Sequence, residues 1–174
     1  SKLEAGDDIK LLGPLGNGFP TDSISSILIG GGIGIPPMLE LAKKLEGEKI
    51  TVLGFRDSDT FLVDDLSQYG RGYIASEDGS IGTKGNVLDA VRKNNLNAKR
   101  ILACGPAPML RAIKKYAFEN NIECFLSLEE KMACGIGACL ACTCKSSEID
   151  SHSKVKNKRV CTEGPVFNAF EVEL

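Results

Sequence analysis

The sequence contains no tryptophan and a single histidine, and aromatic residues make up only 6% of its 174 positions. A surplus of either charge is also lacking, because 21 Lys and Arg residues nearly balance 23 Asp and Glu residues, for a net charge of −2. A protein that binds the phosphate backbone of nucleic acids needs a marked excess of basic residues. The charge balance therefore argues against a nucleic-acid partner.

Long apolar runs are absent as well. The longest one lies within residues 27–37, where glycines interrupt it, and it is shorter than the roughly 20 residues that a membrane-spanning helix needs. The N-terminus has no basic region followed by an apolar core, so no signal peptide is expected. The seven cysteines are odd in number and clustered, which does not fit a framework of paired disulfides. We therefore expect no membrane partner, and a reducing, cytoplasmic setting in which thiolates act as ligands.

What the sequence does contain is a regular alternation of short apolar segments and amphipathic segments between Ser25 and Leu128. The first apolar segment, SSILIGGG, predicts a buried strand, and PPMLELAKKLEG after it predicts a helix with Pro36 near its first turn. Strands that alternate with helices at this spacing indicate βαβ units, and hence an α/β fold with a doubly wound parallel sheet. Upstream of the alternation, the apolar residues 9–12 predict one further short strand.

Two glycine-containing loops follow strands of this predicted sheet. The first is GGGIGIPP at residues 30–37, and the second is CGPAPM at residues 104–109. Such a loop can be a simple tight turn, but glycine also lets the backbone approach a pyrophosphate at a helix N-terminus. Because both loops end parallel strands, we expect them to face one crevice, where doubly wound sheets bind ligands. Taken in isolation, Cys104 is better explained as a small buried residue.

The segment GFRDSD after the second predicted strand lies where such folds usually contact the adenosine ribose. An aspartate there, Asp57 or Asp59, can accept a hydrogen bond from a free 2′-hydroxyl, whereas Arg56 can bind a 2′-phosphate. The segment leaves both nicotinamide dinucleotides open and favours NAD.

Four of the seven cysteines are crowded into residues 129–145, EEKMACGIGACLACTCK. Cys134, Cys139 and Cys142 have the C-x4-C-x2-C spacing of plant-type [2Fe–2S] proteins, which require a more distant fourth thiolate. Cys161, in KRVCTEGPVF, is the candidate for that fourth position. The segment therefore predicts an iron–sulfur cluster.

The glycines of the same loop favour this interpretation over its alternatives. Gly135 and Gly137 can adopt positive φ angles, which lets the chain wrap a cluster and direct amide N–H groups at its sulfurs. A thioredoxin-like C-x-x-C pair, here Cys139 with Cys142, would normally follow the first strand. A structural zinc site usually has a second short C-x2–4-C hook, which is missing. Zinc and a redox dithiol remain open as less favoured alternatives.

The other cysteines and the histidine receive no ligand role. Cys144 is too close to Cys142 to make a comfortable fourth ligand, and Cys124, near the last predicted strand, is expected in the core. His152 falls in the polar segment SSEIDSHSKVKNK and is expected to be solvated.

The motifs GPLGNGF, GGGIGIPPM, ACGPAPM, SLEEKMACGIGACLAC and VCTEGPVF together resemble the electron-transfer subunits of type B dihydroorotate dehydrogenase, within the ferredoxin–NADP reductase superfamily. The resemblance implies that the first glycine loop binds the dinucleotide pyrophosphate and that the C-G-P loop lies beside the nicotinamide. The implied nucleotide-binding residues are Gly31, Gly32, Gly34, Pro36, Cys104, Gly105, Pro106 and Met109, with Asp78 in the looser match DGSIGTKG, which a plain turn also explains. The implied [2Fe–2S] ligands are Cys134, Cys139, Cys142 and Cys161.

The same resemblance implies a division of the chain. Residues 24–128 would form an NAD-binding domain of ferredoxin-reductase type, and residues 129–174 a small C-terminal [2Fe–2S] domain. Family members begin with a FAD-binding barrel that carries an Arg-x-Tyr-Ser-type motif, and this sequence has neither. Residues 1–23 would then be a connecting segment from a missing barrel, which would hold most of the FAD.

The function that the resemblance implies is electron transfer in pyrimidine biosynthesis. A partner subunit with FMN would oxidise dihydroorotate to orotate, and electrons would pass singly through the [2Fe–2S] cluster to FAD and leave as hydride to NAD+. The two kinds of subunit would form a heterotetramer, and this chemistry requires no catalytic acid or base from this chain.

Other functions share part of this pattern. Related subunits of NADH-dependent ferredoxin–NADP oxidoreductases and sulfide dehydrogenases have the same layout, but they tend to have an aspartate where this chain has Cys134. A nucleotide-binding electron carrier without turnover is a further alternative, and so is a zinc-stapled interaction domain.

Overall fold

The computed structural model describes residues 3–149 and 154–174. The strands in these residues are β1 Ser26–Gly31, β2 Lys49–Phe55, β3 Arg71–Ser76, β4 Thr83–Lys84, β5 Arg100–Cys104, β6 Glu123–Ser127, β7 Thr143–Lys145, β8 Asn157–Arg159 and β9 Val166–Asn168. The helices are α1 Ile35–Lys44, α2 Val63–Ser67, α3 Val87–Lys93 and α4 Ala107–Glu119, and a 3-10 turn at Gly32–Gly34 precedes α1.

Seven of the strands form one sheet in the order β4-β3-β2-β1-β5-β6-β9. All neighbouring pairs are parallel except β6 with β9, which is antiparallel. The predicted α/β fold with a doubly wound parallel sheet is therefore confirmed. The chain builds outward from β1 to β4 on one side, then returns to place β5 on the other side of β1. Such a switch point opens a crevice at the carboxyl ends of the two central strands.

The two faces of the sheet carry separate apolar clusters, because side chains of a strand alternate between faces. On β1, Ile27 and Ile29 pack with the buried side of α3 and α4, whereas Leu28 packs with α1 and α2. Both faces of this strand are fully buried, which explains why its sequence is continuously apolar rather than alternating.

Two helices next to the crevice, α1 and α3, have well-defined first turns. Pro36 and Pro37 lie in the first turn of α1, where a missing N–H costs nothing. Asn86 caps α3 by accepting hydrogen bonds from the Leu88 and Asp89 amides, while the Asp89 side chain accepts one from the Asn86 amide. This capping box fixes the direction in which α3 leaves the crevice.

The strand predicted at residues 9–12 is absent from the structure, and one helix is shorter than the helical spacing of its sequence suggests. Residues 9–12 form no strand, and the side chains of Ile9, Leu11 and Leu12 are exposed. A strand requires a neighbour for its hydrogen bonds, and no described strand pairs with this segment. The segment DTFLVDDLSQYG has helical spacing, but only Val63–Ser67 forms α2.

The C-terminal segment leaves the sheet after β6 and later returns to it. Residues 129–142 contain no regular element, and β7 pairs with β8 as a separate two-stranded sheet. β9 then pairs with β6, and Phe167 on β9 is buried in the same core cluster as Ile27 and Ile29. The cysteine-containing segment is thus anchored to the main sheet at its start and near its end. Among the described residues, none of the helices has the length and apolar character needed to cross a membrane.

Candidate functional site

The two glycine loops predicted to share a crevice do meet at the switch point. A Cβ atom added to Gly34 would lie 2.1 Å from the carbonyl oxygen of Cys104, and one added to Gly31 would lie 2.6 Å from the Sδ atom of Met109. Gly105 has a φ of +157°, and a Cβ there would lie 2.5 Å from Met109 Cε. Glycine at these positions therefore allows the loops after β1 and β5 to pack directly against each other.

A cavity of about 770 Å³ opens at this junction. The predicted residues Gly31, Gly32, Pro106 and Met109 line it, whereas Gly34, Pro36, Cys104 and Gly105 do not. Further lining residues come from the ends of β2 and β3 and from the start of α3, namely Gly54, Phe55, Arg56, Asp57, Asp59, Phe61, Glu77, Gly85, Asn86, Val87 and Leu88. The cavity is large enough for an extended ligand such as a dinucleotide.

The far end of the cavity combines an aromatic ring with carboxylates. Phe61 contacts Phe55 edge to face, with ring centroids 5.7 Å apart and planes at 86°. The Asp59 amide donates to Asp57 Oδ1 at 2.8 Å, which holds the loop after β2 in a tight turn. Arg56 and the aspartates were expected here from the sequence, whereas Phe61 was not, although an aromatic residue directly after that loop is a usable signal.

Asp78 stabilises a turn rather than facing the cavity. Its Oδ1 atom accepts hydrogen bonds from the Ser80 amide at 2.9 Å and from the Ser80 hydroxyl at 2.7 Å. These bonds, the amide first, lower the pKa of the Asp78 carboxyl from its usual value. Asp78 is not among the residues that line the cavity. Its neighbour Glu77 lines the cavity instead.

Cys104 ends β5 and is half-buried behind the loop junction. Burial is the main reason that the pKa of its thiol is raised, and a hydrogen bond with the Ser127 side chain partly opposes this. A thiol in this state is protonated at neutral pH and behaves as a small apolar side chain.

The four cysteines predicted as cluster ligands lie together in two pairs. The Cys139 amide donates to Cys134 Sγ at 3.4 Å, and the Cys161 amide donates to Cys142 Sγ at 3.4 Å. The side chains within each pair also contact each other, and the charge of Cys134 acts on Cys161 across the two pairs. Within residues 3–149 and 154–174, however, no three potential ligands converge on a point that a single metal ion could occupy. Each pair offers two thiols, and a [2Fe–2S] cluster takes four cysteines, two on each iron.

Backbone amides point at the sulfurs, as the loop glycines predict. Gly135 and Gly137 have φ angles of +72° and +79°, so the loop curls around Cys134. Several hydrogen bonds to the sulfur lower the pKa of Cys134 to about 6, and the one from the Ile136 amide has the largest effect. In the opposite direction, contact with Cys142 and burial raise the pKa of Cys161, against a hydrogen bond from the Gly137 amide. Amides directed at sulfur stabilise the thiolate form that binds iron.

The remaining cysteines lie apart from these pairs. The buried Cys144 thiol donates to the carbonyl oxygen of Lys158 at 3.6 Å. Cys124 is in the core, as predicted, and burial raises its pKa to about 12. His152 lies outside the described residues.

Comparison with known proteins agrees with both halves of this arrangement. Residues 129–173 match the model of the iron–sulfur cluster binding domain of dihydroorotate dehydrogenase B. The chain is 46% identical to the dihydroorotate dehydrogenase B (NAD(+)) electron transfer subunit of Bacillus velezensis, over 97% of this chain and 67% of that protein. It is 45% identical to the subunit of the same name from a Geobacillus species, over 100% of this chain and 68% of that protein. It thus spans about two thirds of the length of these relatives.

A solved structure is similar over nearly the same extent. The structure of an NADH-dependent reduced ferredoxin–NADP oxidoreductase superposes with a TM-score of 0.83 at 29% identity, over 95% of this chain and 60% of that one. The higher identity to the first group, across nearly the whole chain, decides the assignment. This chain belongs to the family of electron transfer subunits of dihydroorotate dehydrogenase B (NAD(+)).

Proposed function

We propose that this chain is the NAD-binding and cluster-binding part of an electron-transfer subunit that serves an FMN-containing dihydroorotate dehydrogenase. One observation carries the proposal: a nucleotide-sized cavity at the switch point and paired thiols directly after β6 are built onto the same sheet. When bound, an iron–sulfur cluster supplies one-electron transfer, a flavin links one- and two-electron steps, and NAD+ accepts a hydride.

Cys134 and Cys139 are the proposed ligands of one iron, and Cys142 with Cys161 are those of the other. The two contact pairs and the amides directed at Cys134 and Cys142 support this division. Cys142 and Cys161 are buried, whereas Cys139 is exposed. We propose that the exposed side of the loop is the side through which electrons enter or leave.

NAD is the proposed occupant of the cavity. Gly31 and Gly32 line it at the N-terminal end of α1, where amide groups favour a pyrophosphate. Pro106 and Met109 of the second loop border the end nearest Cys104 and Gly105, which is the proposed nicotinamide end. The loop from Arg56 to Phe61 then receives the adenosine.

The proposed division of the chain follows these two sites. Residues 24–128 hold the nucleotide, residues 129–174 hold the cluster, and residues 1–23 lead toward a flavin domain. FAD is proposed to sit mainly in that further domain. The relatives' name implies a catalytic partner, and we propose an FMN subunit in a cytoplasmic heterotetramer.

The proposed function is tested with the full-length subunit and the FMN-containing catalytic subunit of its own organism. Dihydroorotate-dependent reduction of NAD+ is measured with and without the electron-transfer subunit. We expect NADH to form only with both subunits present, and little to form when Cys161 is replaced by serine. Equal NADH formation without the subunit, or none with both, would contradict the proposal. Activity with reduced ferredoxin in place of dihydroorotate would favour the ferredoxin–NADP oxidoreductase alternative.

A further inference from the structure

The motif GPLGNGF at the start of the chain has a contact that neither site explains. Residues 13–18, called here the strap, lie against the turn at residues 159–164, called the Cys161 turn. A Cβ atom on Gly16 would lie 2.0 Å from the carbonyl oxygen of Gly164, and Gly16 has a φ of +68°. Only glycine allows the two segments to come this close.

One strap residue, Asn17, donates hydrogen bonds to three carbonyl groups of that turn. The amides of Thr162, Glu163 and Gly164 all donate to the carbonyl oxygen of Arg159, at 3.3, 2.8 and 3.4 Å. Their own carbonyl oxygens then accept hydrogen bonds from Asn17. Its side-chain Nδ2 donates to Thr162 at 3.4 Å and to Glu163 at 3.2 Å, and its backbone N–H donates to Gly164 at 2.5 Å.

The contact between the strap and the Cys161 turn lies next to both thiol pairs. Cys161 lies within the turn, and its amide donates to Cys142 Sγ. The next residue after the turn, Pro165, accepts a hydrogen bond from the Leu128 amide at 2.8 Å, which ties the turn to the end of β6. Leu15 of the strap also lies 3.3 Å from the position of a Cβ on Gly135, in the loop around Cys134. The strap therefore touches both segments that carry the paired thiols.

We propose that Asn17 is a positioning residue for Cys161: it holds the Cys161 turn so that this thiol faces Cys142. The inference rests on the proposed cluster site and adds a residue that lies more than a hundred positions away in sequence. Asparagine suits the role because its side-chain amide supplies two N–H donors beside the backbone N–H. Orphan carbonyls at the end of a turn need such donors, as they do at the end of a helix.

Two variants of Asn17 with one control test the proposal in the full chain. Asn17→Ala removes the side-chain donors and keeps the backbone bond, whereas Asn17→Asp keeps the shape and places a carboxylate against carbonyl oxygens. Asn97→Ala is the control, because Asn97 also donates to a backbone carbonyl, that of Asn95 at 3.0 Å, in a turn remote from the thiols. The readouts are the rate at which a chelator bleaches the visible absorption, the EPR signal of the reduced protein, and amide hydrogen exchange of residues 159–164.

We expect bleaching to be about tenfold faster in Asn17→Ala, because two modest hydrogen bonds are lost, and faster still in Asn17→Asp. Both variants should change the EPR signal and speed exchange within the Cys161 turn, while NADH affinity stays unchanged. Wild-type values in both Asn17 variants, or equal effects in Asn97→Ala, would overturn the positioning role alone. A wild-type chain with no visible absorption after anaerobic purification would overturn the proposed function, and this inference with it.

Discussion

Cys142 and Cys144 are two residues apart and both are buried, yet their sulfurs have different partners. The Cys142 sulfur accepts from the Cys161 amide, while the Cys144 thiol donates to Lys158, the residue opposite it in the β7–β8 pair. Spacing alone made Cys144 a poor fourth ligand, and the strand pairing now gives it a different role. It belongs to the same buried apolar cluster as Val160 and Val172.

Serine substitutions at Cys161 and Cys144 separate these roles. We expect Cys161→Ser to lose most of the bound iron, because one iron loses a thiolate ligand. Cys144→Ser should retain the iron, since its hydroxyl can still donate to Lys158. Iron content and visible absorption after anaerobic purification are the measurements. Loss of iron in Cys144→Ser but not in Cys161→Ser would reverse the ligand assignment.

The preference between NAD and NADP should depend on a few charged residues at one end of the cavity. Asp57, Asp59 and Glu77 bring three carboxylates to the far end of the cavity, beside one guanidinium, Arg56. A 2′-phosphate placed there would meet more negative than positive charge. Asp57→Asn keeps the oxygen that accepts from the Asp59 amide and removes one charge.

We therefore expect Asp57→Asn to bind NADPH about fivefold more tightly relative to NADH, the size of one partly screened charge interaction. Calorimetric titration of both nucleotides gives the ratio. Asp8→Asn, an exposed aspartate in the segment before β1, is the matched control. A ratio unchanged from the wild type would place the 2′ position of the ribose elsewhere in the cavity.

At the scale of elements, local sequence patterns predicted the central strands and the helices that begin with proline. Buried strands β1, β2 and β5 and helices α1 and α4 follow from apolar runs and from prolines at helix starts. The strand expected at residues 9–12 was wrong because an apolar run forms a strand only where a neighbour pairs with it. The return of β9 to β6 and the contact of Asn17 with the Cys161 turn depend on residues distant in sequence, so no local pattern could indicate them.

The packing of the two glycine loops is testable with alanine. Gly34→Ala would place a Cβ 2.1 Å from the backbone oxygen of Cys104, so one of the loops must move. We expect a loss of about 1–3 kcal/mol in the free energy of unfolding and weaker NADH binding. Urea denaturation and NADH titration measure the two effects. Gly18→Ala is the control, since its Cβ would meet no atom within 4 Å, and equal stability of both variants would contradict the close packing.

At the scale of the whole molecule, Arg100 joins the N-terminal segment to the sheet. Its side chain is only 5% exposed, and it contacts Asp22 at 2.7 Å and Glu123 at 2.5 Å. Its guanidinium also lies 5.6 Å from the ring centroid of Phe125. This contact lies at the edge of the sheet where β5 and β6 begin, opposite the nucleotide cavity. The Arg100–Asp22 contact fixes the segment between the strap and β1.

The contribution of this ion pair should depend on pH. The hydrogen bond to Arg100 lowers the pKa of Asp22 below its ordinary value of 3.8. A carboxyl whose pKa is lowered by folding stabilises the protein above its unfolded pKa, and this stabilisation is lost as the pH falls through the folded pKa. We expect Arg100→Met to have a lower urea midpoint than the wild type at pH 7, with a smaller difference at pH 3. A difference that stays constant between these pH values would contradict a role for the ionised pair.

Electron transfer by this chain requires that the paired thiols hold a [2Fe–2S] cluster on the sheet proposed to bind NAD. The most direct measurement is the iron and acid-labile sulfide content of the anaerobically purified chain, together with the EPR spectrum after reduction by dithionite. We predict about two irons and two sulfides per chain, with a signal that accounts for one unpaired electron. A colourless chain that contains zinc and gives no signal after reduction would contradict an iron–sulfur cluster at these thiols.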